Sequence, residues 1–161
     1  MEPLSSGRVF DGSLIRVDVE TWPSGQREVV RHPGACAVMA ITAEGQVLLV
    51  QQLREAVRGA LLEIPAGILE EGETPEECAA RELAEETGFR AVKLEHLATI
   101  YTSPGFTDER IELFRAEAEP GGQATEDLEV VKLTRGQAMK AIESGEILDA
   151  KTVVGLLIAM S

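Results

Sequence analysis

The chain has 161 residues and a formal charge of −13, with 44% hydrophobic and 27% charged residues. That size fits one domain with a small extension and leaves enough chain to bury a core. The charge argues against sequence-independent nucleic-acid binding and against an anionic membrane surface, both of which need clustered Lys and Arg. An anionic substrate held through divalent cations stays open, because the ion is then the largest local charge.

The first residues, MEPLSSGRVFDG, lack a basic start and an apolar core, so no signal peptide is read. LIRVDVE, from Leu14 to Glu20, alternates apolar and polar, and the turn-like WPSGQ leads into REVVRH, which predicts a hairpin. A hairpin cannot bury both faces alone and needs the main body or a second subunit against it. The breaker His32-Pro33-Gly34 places a boundary between a small β element, 1–33, and a main domain, 34–161. ACAVMAITA and QVLLVQQ flank Glu44-Gly45 and predict a second hairpin of central strands covered on both faces. Cys36 and Cys78 have no zinc-like spacing and read as small buried thiols of a reducing compartment, not as a disulfide. Further strands are expected at VKLEHLATIYT, RIELFRAEAE and LEVVKLT. A helix starts at the capping box Thr134-Arg135-Gly136-Gln137 and ends near Ser144-Gly145, and another runs from Ala150 to about Met160. Its apolar run VVGLLIAM is too short for a bilayer, which needs about 20 residues. The sum is an α/β sandwich in a cytoplasmic protein.

GILEEGETPEECAARELAEETGF, from Gly67 to Phe89, crowds glutamates into one loop and one helix. Thr74 as N-cap, Pro75 at the first position, Glu77 closing a capping box and Gly88 at the end predict a helix over 75–87. At about 3.6 residues per turn Glu82 and Glu86 share a face, with Glu85 beside them and Ala79, Ala80, Leu83, Ala84 and Thr87 opposite. Arg81 lies four residues before Glu85 and can brace it. Converging carboxylates with so little compensating lysine suit hard cations such as Mg²⁺ or Mn²⁺; the alternative is a plain solvated acidic face. The loop Pro65 to Glu73 can add backbone carbonyls.

Gly67, Glu73 and the run Arg81-Glu82-Leu83-Ala84-Glu85-Glu86-Thr87-Gly88-Phe89 resemble a complete Nudix box, Gx5Ex7REUxEExGU, with Phe89 at the final bulky position. The resemblance implies an α/β/α sandwich with a mixed sheet, and metal-dependent hydrolysis of a nucleoside diphosphate linked to another moiety. It implies that Glu82, Glu85, Glu86 and the carbonyl of Ala66 hold two or more Mg²⁺ or Mn²⁺ ions. Arg81 would orient Glu85, and Glu73 would fix the loop. Ser103-Pro104-Gly105-Phe106-Thr107-Asp108-Glu109, with a proline sixteen residues past Gly88, resembles the ADP-ribose pyrophosphatase subgroup, as do Gln51-Gln52-Leu53-Arg54 and Leu62-Glu63-Ile64-Pro65-Ala66-Gly67. By that resemblance Arg54, Pro104, Gly105 and Glu109 face substrate. The acidic loop from Gly121 to Glu129 resembles the subgroup's loop before a strand, and by that resemblance Glu126 would be the catalytic base, with an exposed acidic loop of no catalytic role as the alternative. Trp22 and Arg27, beside Phe10, lie in the segment that the subgroup exchanges between the subunits of a homodimer to stack adenine; apolar packing is the default for such aromatics. His32 and His96 are isolated and receive no ligand role.

The expected activity is hydrolysis of ADP-ribose to AMP and ribose 5-phosphate. The alternatives are the same chemistry on another nucleoside diphosphate sugar, or a non-catalytic sensor binding ADP-ribose or a metal. Retention of every box carboxylate favours the enzyme.

Overall fold

The computed structural model describes residues 1–159. Its N-terminal segment is a three-stranded antiparallel sheet of β1 (Ser5–Asp11), β2 (Arg16–Trp22) and β3 (Gly25–Arg31), with β2 in the middle. The predicted hairpin is β2 and β3. β1 is exposed along its whole length, so no apolar alternation marks it in the sequence. Asp18 and Glu20 of β2 are buried, and Arg31 pairs with both while Arg8 holds Asp18 at 2.9 Å. This element therefore buries paired charge on a face where an apolar core would be expected. β3 is joined to the loop around Pro104 through Val30 N–H to the Phe106 carbonyl at 2.8 Å and Arg31 to Asp108 at 3.0 Å.

The main sheet contains β4 (Ala35–Thr42), β5 (Gln46–Arg54), β6 (Gly59–Glu63), β7 (Ala66–Ile68), β8 (Phe89–Tyr101), β9 (Arg110–Pro120) and β10 (Glu129–Thr134). Its order is β10-β5-β4-β9-β8, with β6 beside β5 and β7 beside β4. β4 and β9 run parallel while the other pairs are antiparallel, which makes the sheet mixed. The β4–β5 turn falls at Glu44-Gly45 as expected, with Gly45 at φ 75°, a conformation glycine adopts without steric cost. The sequence assigns no element to β6 and places β7 in the loop from Pro65 to Glu73, because neither is long enough to display a clear period.

Helix α1 (Pro75–Thr87) covers one face; α2 (Arg135–Ser144) and α3 (Ala150–Ala159) cover the other. Cys36, Val38 and Ala40 of β4 meet Ala79 and Leu83 of α1, whereas Ala35, Ala37 and Met39 pack with Ala138, Ala141 and Leu156. Two-sided burial explains why β4 reads as an unbroken apolar run. This is the expected α/β/α sandwich. The expected end of α3 at Met160 lies outside the described residues. Among those described, no helix is long and apolar enough to cross a membrane.

One expectation is corrected. Cys36 and Cys78 form a disulfide, not two thiols. Cys36 points from the face of β4 that α1 covers, and Cys78 sits on the buried stripe of α1, so the packing that buries both also brings their Cα atoms to 6.2 Å, within bridging range. Their separation of 42 residues gives no local signal.

Candidate active site

Capping fixes how α1 presents its glutamates. The Thr74 side chain accepts from Glu77 N–H, and the Glu77 carboxylate accepts from Thr74 N–H at 2.9 Å. Anchored there, the helix turns Glu82 and Glu86 inward, at 7% and 3% exposure, and leaves Glu85 half-buried. These carboxylates are therefore no solvated ridge. β7 and the Pro65-Ala66-Gly67 turn lie over them, and Ala66 N–H donates to Glu86 Oε2 at 3.2 Å. The expected buried arc is corrected in the same sense: Ala80 and Ala84 are only half-buried, because the strand covering Glu82 and Glu86 shifts burial toward the glutamate side.

The loop from Gly121 to Leu128 brings in a further carboxylate. The last carbonyls of a helix lack intrahelical donors, and here the loop supplies them: Thr125 and Glu126 N–H donate to the Glu85 carbonyl at 3.0 and 3.1 Å, and Gly121 and Gly122 N–H to the Gly88 carbonyl. A Cβ on Gly122 would lie 2.5 Å from the Phe89 carbonyl oxygen, so this close approach requires glycine. The result places one carboxylate oxygen each from Glu82, Glu85 and Glu126 within 4.8 Å of one another. Burial, reinforced by the charge of Glu82, pushes the Glu86 carboxyl up to about 8, and burial also raises Glu82 against the opposing pull of Arg81. An oxygen-only donor set carrying more negative charge than Arg81 alone balances fits a hard divalent cation.

The substrate candidates divide between two cavities. Trp22 and Arg27 from the N-terminal sheet line a cavity of about 450 Å³ with Pro104 and Gly105, beside Tyr101 and Arg31. Arg54 and Glu109 line another, of about 550 Å³, with Ala66, Gly67, Glu63 and Lys151. A smaller cleft shares His32 with the second cavity and Tyr101 and Asp108 with the first. Sequence reasoning gave no role to the side chain that organises Arg54. Glu63, 1% exposed, takes Arg54 Nε and Nη2 at 2.9 and 2.7 Å and is also paired with Lys151. Burial pushes the Glu63 carboxyl up, but Arg54 and Lys151 outweigh it and hold it below the ordinary range. The available signal was a lone acid inside the apolar segment LLEIP. Trp22 is likewise fixed by an acid, its indole N–H donating to Glu20 at 2.9 Å.

The profile described as NUDIX domain matches residues 30–151. The chain belongs to the Nudix family. It is 44% identical to an ADP-ribose pyrophosphatase of Bacillus subtilis (strain 168), over 96% of this chain and 87% of that one. It is 40% identical to a methanol dehydrogenase activator of Bacillus methanolicus, over 95% of this chain and 89% of the other. A crystal structure of an ADP compounds hydrolase superposes with a TM-score of 0.81 at 23% identity, covering 99% of this chain and 93% of that one, and so shares the fold.

The fixed positions of the Nudix motif each have a physical counterpart here. A Cβ on Gly67 would lie 1.8 Å from Glu82 Oε1, so any larger residue there would push the Glu82 carboxylate out of its place under the strand. Gly88 ends α1 in the left-handed region at φ 72°. Arg81 grips Glu73 through two nitrogens at 2.7 and 2.9 Å, holds Glu82 at 2.6 Å, and reaches Glu85 at 3.2 Å. Its main partners are thus Glu73 and Glu82, with Glu85 the longer contact.

The Glu86 shift has a consequence for stability. Between its ordinary value of 4.5 and about 8 the folded chain binds a proton that the unfolded chain has lost, so metal-free stability falls as pH rises across that window. Glu86→Gln is expected to flatten this slope and to raise the melting temperature of chelator-treated protein near pH 8, with little change near pH 5; thermal denaturation across pH measures it.

Proposed function

We propose that this Nudix chain is a divalent-metal-dependent pyrophosphohydrolase that cleaves ADP-ribose to AMP and ribose 5-phosphate. The observation carrying the reading is the convergence of Glu82, Glu85 and Glu126 within 4.8 Å, with buried Glu86 beside Ala66 and Glu82 against Gly67, two residues that line the cavity containing Arg54. The substrate is supported by the likeness to the Bacillus subtilis ADP-ribose pyrophosphatase over nearly the whole chain.

Glu82, Glu85, Glu86 and the Ala66 carbonyl would hold Mg²⁺ or Mn²⁺, two or more ions. When bound, they supply neutralisation of pyrophosphate charge and a more acidic water. Arg81 keeps the Glu82 and Glu85 carboxylates in place. Arg54, committed to Glu63 through Nε and Nη2, offers its remaining nitrogen to a phosphate oxygen. Glu126, exposed on the docked loop, takes the proton of the attacking water. The water oxygen adds to phosphorus as the bridging P–O bond breaks, and the leaving phosphate carries away the second charge. Trp22 and Pro104 would flank the adenine, with Arg27 and Gly105 at the same cavity and Glu109 toward the terminal ribose. Position 126 separates a base from a ligand. Glu126→Gln is expected to lower kcat by well over tenfold with little change in metal affinity, and a matching loss of affinity would make the residue a ligand.

The rest of the sugar pocket lies outside the motif, so a different nucleoside diphosphate sugar is the reading to exclude. Turnover of ADP-ribose, GDP-mannose, ADP-glucose and a dinucleoside polyphosphate, each with Mg²⁺ and with chelator, decides it. The expected outcome is metal-dependent release of AMP with the highest kcat/KM for ADP-ribose. Binding without turnover of any member would point to a sensor.

The same reading includes a cytoplasmic homodimer built through the N-terminal element 1–33. Support comes from Val9, Phe10 and Leu14, which this element leaves 64%, 52% and 46% exposed. Sedimentation equilibrium is expected to give twice the chain mass, and Phe10→Asp to shift it toward the monomer; a monomeric mass for the unaltered chain would overturn the assembly.

A further inference from the structure

The start of α3 reaches into the site from the opposite side of the sheet. Thr152 is fully buried, and its hydroxyl accepts from Ile64 N–H at 2.9 Å while donating to Asp149 at 2.6 Å. Asp149 also accepts from Thr152 N–H at 2.9 Å, which fixes the turn that presents the hydroxyl. One residue earlier, Lys151 pairs with Glu63 and lies 3.0 Å from Asp149. At Gly155 the helix passes so near the strand that a Cβ would stand 3.3 Å from Ile64 Cδ1. The turn therefore holds Glu63 and Ile64, the residues just before Pro65 and Ala66.

We propose that Asp149-Ala150-Lys151-Thr152 is a positioning element of the active site. Thr152 places the Ala66 carbonyl through Ile64, and Lys151 places Arg54 through Glu63. The inference rests on the reading of Ala66 as a metal ligand and Arg54 as a substrate contact.

The mechanical path to Ala66 is short and stiff. Proline fixes φ at position 65, the Pro65 carbonyl accepts from Val38 N–H at 2.8 Å, and Ala66 N–H is held by Glu86. Thr152 anchors Ile64, which lies between the ladder pairs Glu63–Val50 and Ala66–Ala37. Without its hydroxyl the Ile64 N–H becomes a buried donor with no acceptor, and the backbone shifts to find one. The path to Arg54 is electrostatic. Arg54, Glu63, Lys151 and Asp149 cancel in charge. With Lys151 neutralised, the cluster turns negative beside an anionic substrate, and Glu63 relies on Arg54 alone.

The test pairs substitutions with readouts that a purely structural role would not separate. Mn²⁺ binding to chelator-treated protein is followed by titration calorimetry, and KM and kcat for ADP-ribose are measured at saturating metal. Thr152→Val is expected to weaken Mn²⁺ binding on the order of tenfold, as loss of a group supporting a ligand does, while KM stays within about twofold. Lys151→Met is expected to do the reverse, raising KM about tenfold with Mn²⁺ affinity held within about twofold. Thr152→Ser and Lys151→Arg restore most of each loss. Lower melting temperatures with unchanged Mn²⁺ affinity and KM, or equal losses of both in both variants, overturn the proposal. If Thr152→Val does not fold, Asp149→Asn weakens the same hydroxyl link and must lower Mn²⁺ affinity; unchanged affinity overturns the Thr152 arm. If the unaltered protein does not turn over ADP-ribose, the functional reading fails separately. Mn²⁺ binding then still decides the Thr152 arm, and equilibrium binding of ADP-ribose decides the Lys151 arm.

Discussion

Two carboxylates buried side by side beneath a strand, Glu82 and Glu86, constrain nearly everything around them. Like charges taken out of water repel strongly, and a chain free to avoid the arrangement would do so. Here it is held by surroundings of opposite sense. Arg81 neutralises from one side, Ala66 N–H donates from another, and Gly67 gives up a side chain so that the backbone can lie over Glu82. Much of the local sequence is legible as the set of conditions that keeps these groups in place. Glu73 serves it at one remove, by aiming Arg81.

That tension is sustainable because the support is rigid. β4 pairs with β9 along its whole length, with β7 on its other edge near the site. Apolar packing on both faces then fixes the strand between α1 and the pair α2 and α3. A close-packed interior resists small displacements, so α1 and β7 cannot drift apart to relieve the repulsion. The docking of the 121–128 loop on the end of α1 adds Glu126 without any core of its own; it is held by backbone hydrogen bonds, at the exposed margin of the site.

The legible parts of the molecule are those whose determinants are local. The caps at Thr74 and Gly88, the capping box at Thr134, the two-sided burial of β4 and the turn at Glu44-Gly45 were all readable, since each rests on contacts between near neighbours in sequence or on periodicity. β1 was not, because every residue on it is exposed; β6 and β7 were too short to show a period. The pairing of Glu63 with Lys151 spans 88 residues, and the Cys36–Cys78 bond spans 42, so neither leaves a local pattern. The motif announced which glutamates to watch. It did not announce that the substrate candidates split between separate cavities, or that Arg54 is aimed by an acid shared with the C-terminal helix.

The overall charge of −13 at first looks unsuited to a pyrophosphate substrate. The Debye length at physiological ionic strength is about 8 Å, so distant surface carboxylates contribute little inside a cavity and the nearest charges dominate. Those nearest charges are not uniformly acidic. Arg54 and Lys151 line one cavity, and Arg27 and Arg31 line the other. The cations are also tied to individual acids, Arg54 to Glu63 and Arg31 to Asp18, Glu20 and Asp108, which fixes their positions and limits the net positive field. On the proposed reading, the negative carboxylates take metal, Arg54 takes a phosphate oxygen, Arg27 stands at the nucleotide end, and affinity depends on placement far more than on net charge. An acidic protein can therefore hold a doubly anionic substrate, provided that the elements placing these few groups, including the start of α3, stay where the sheet holds them.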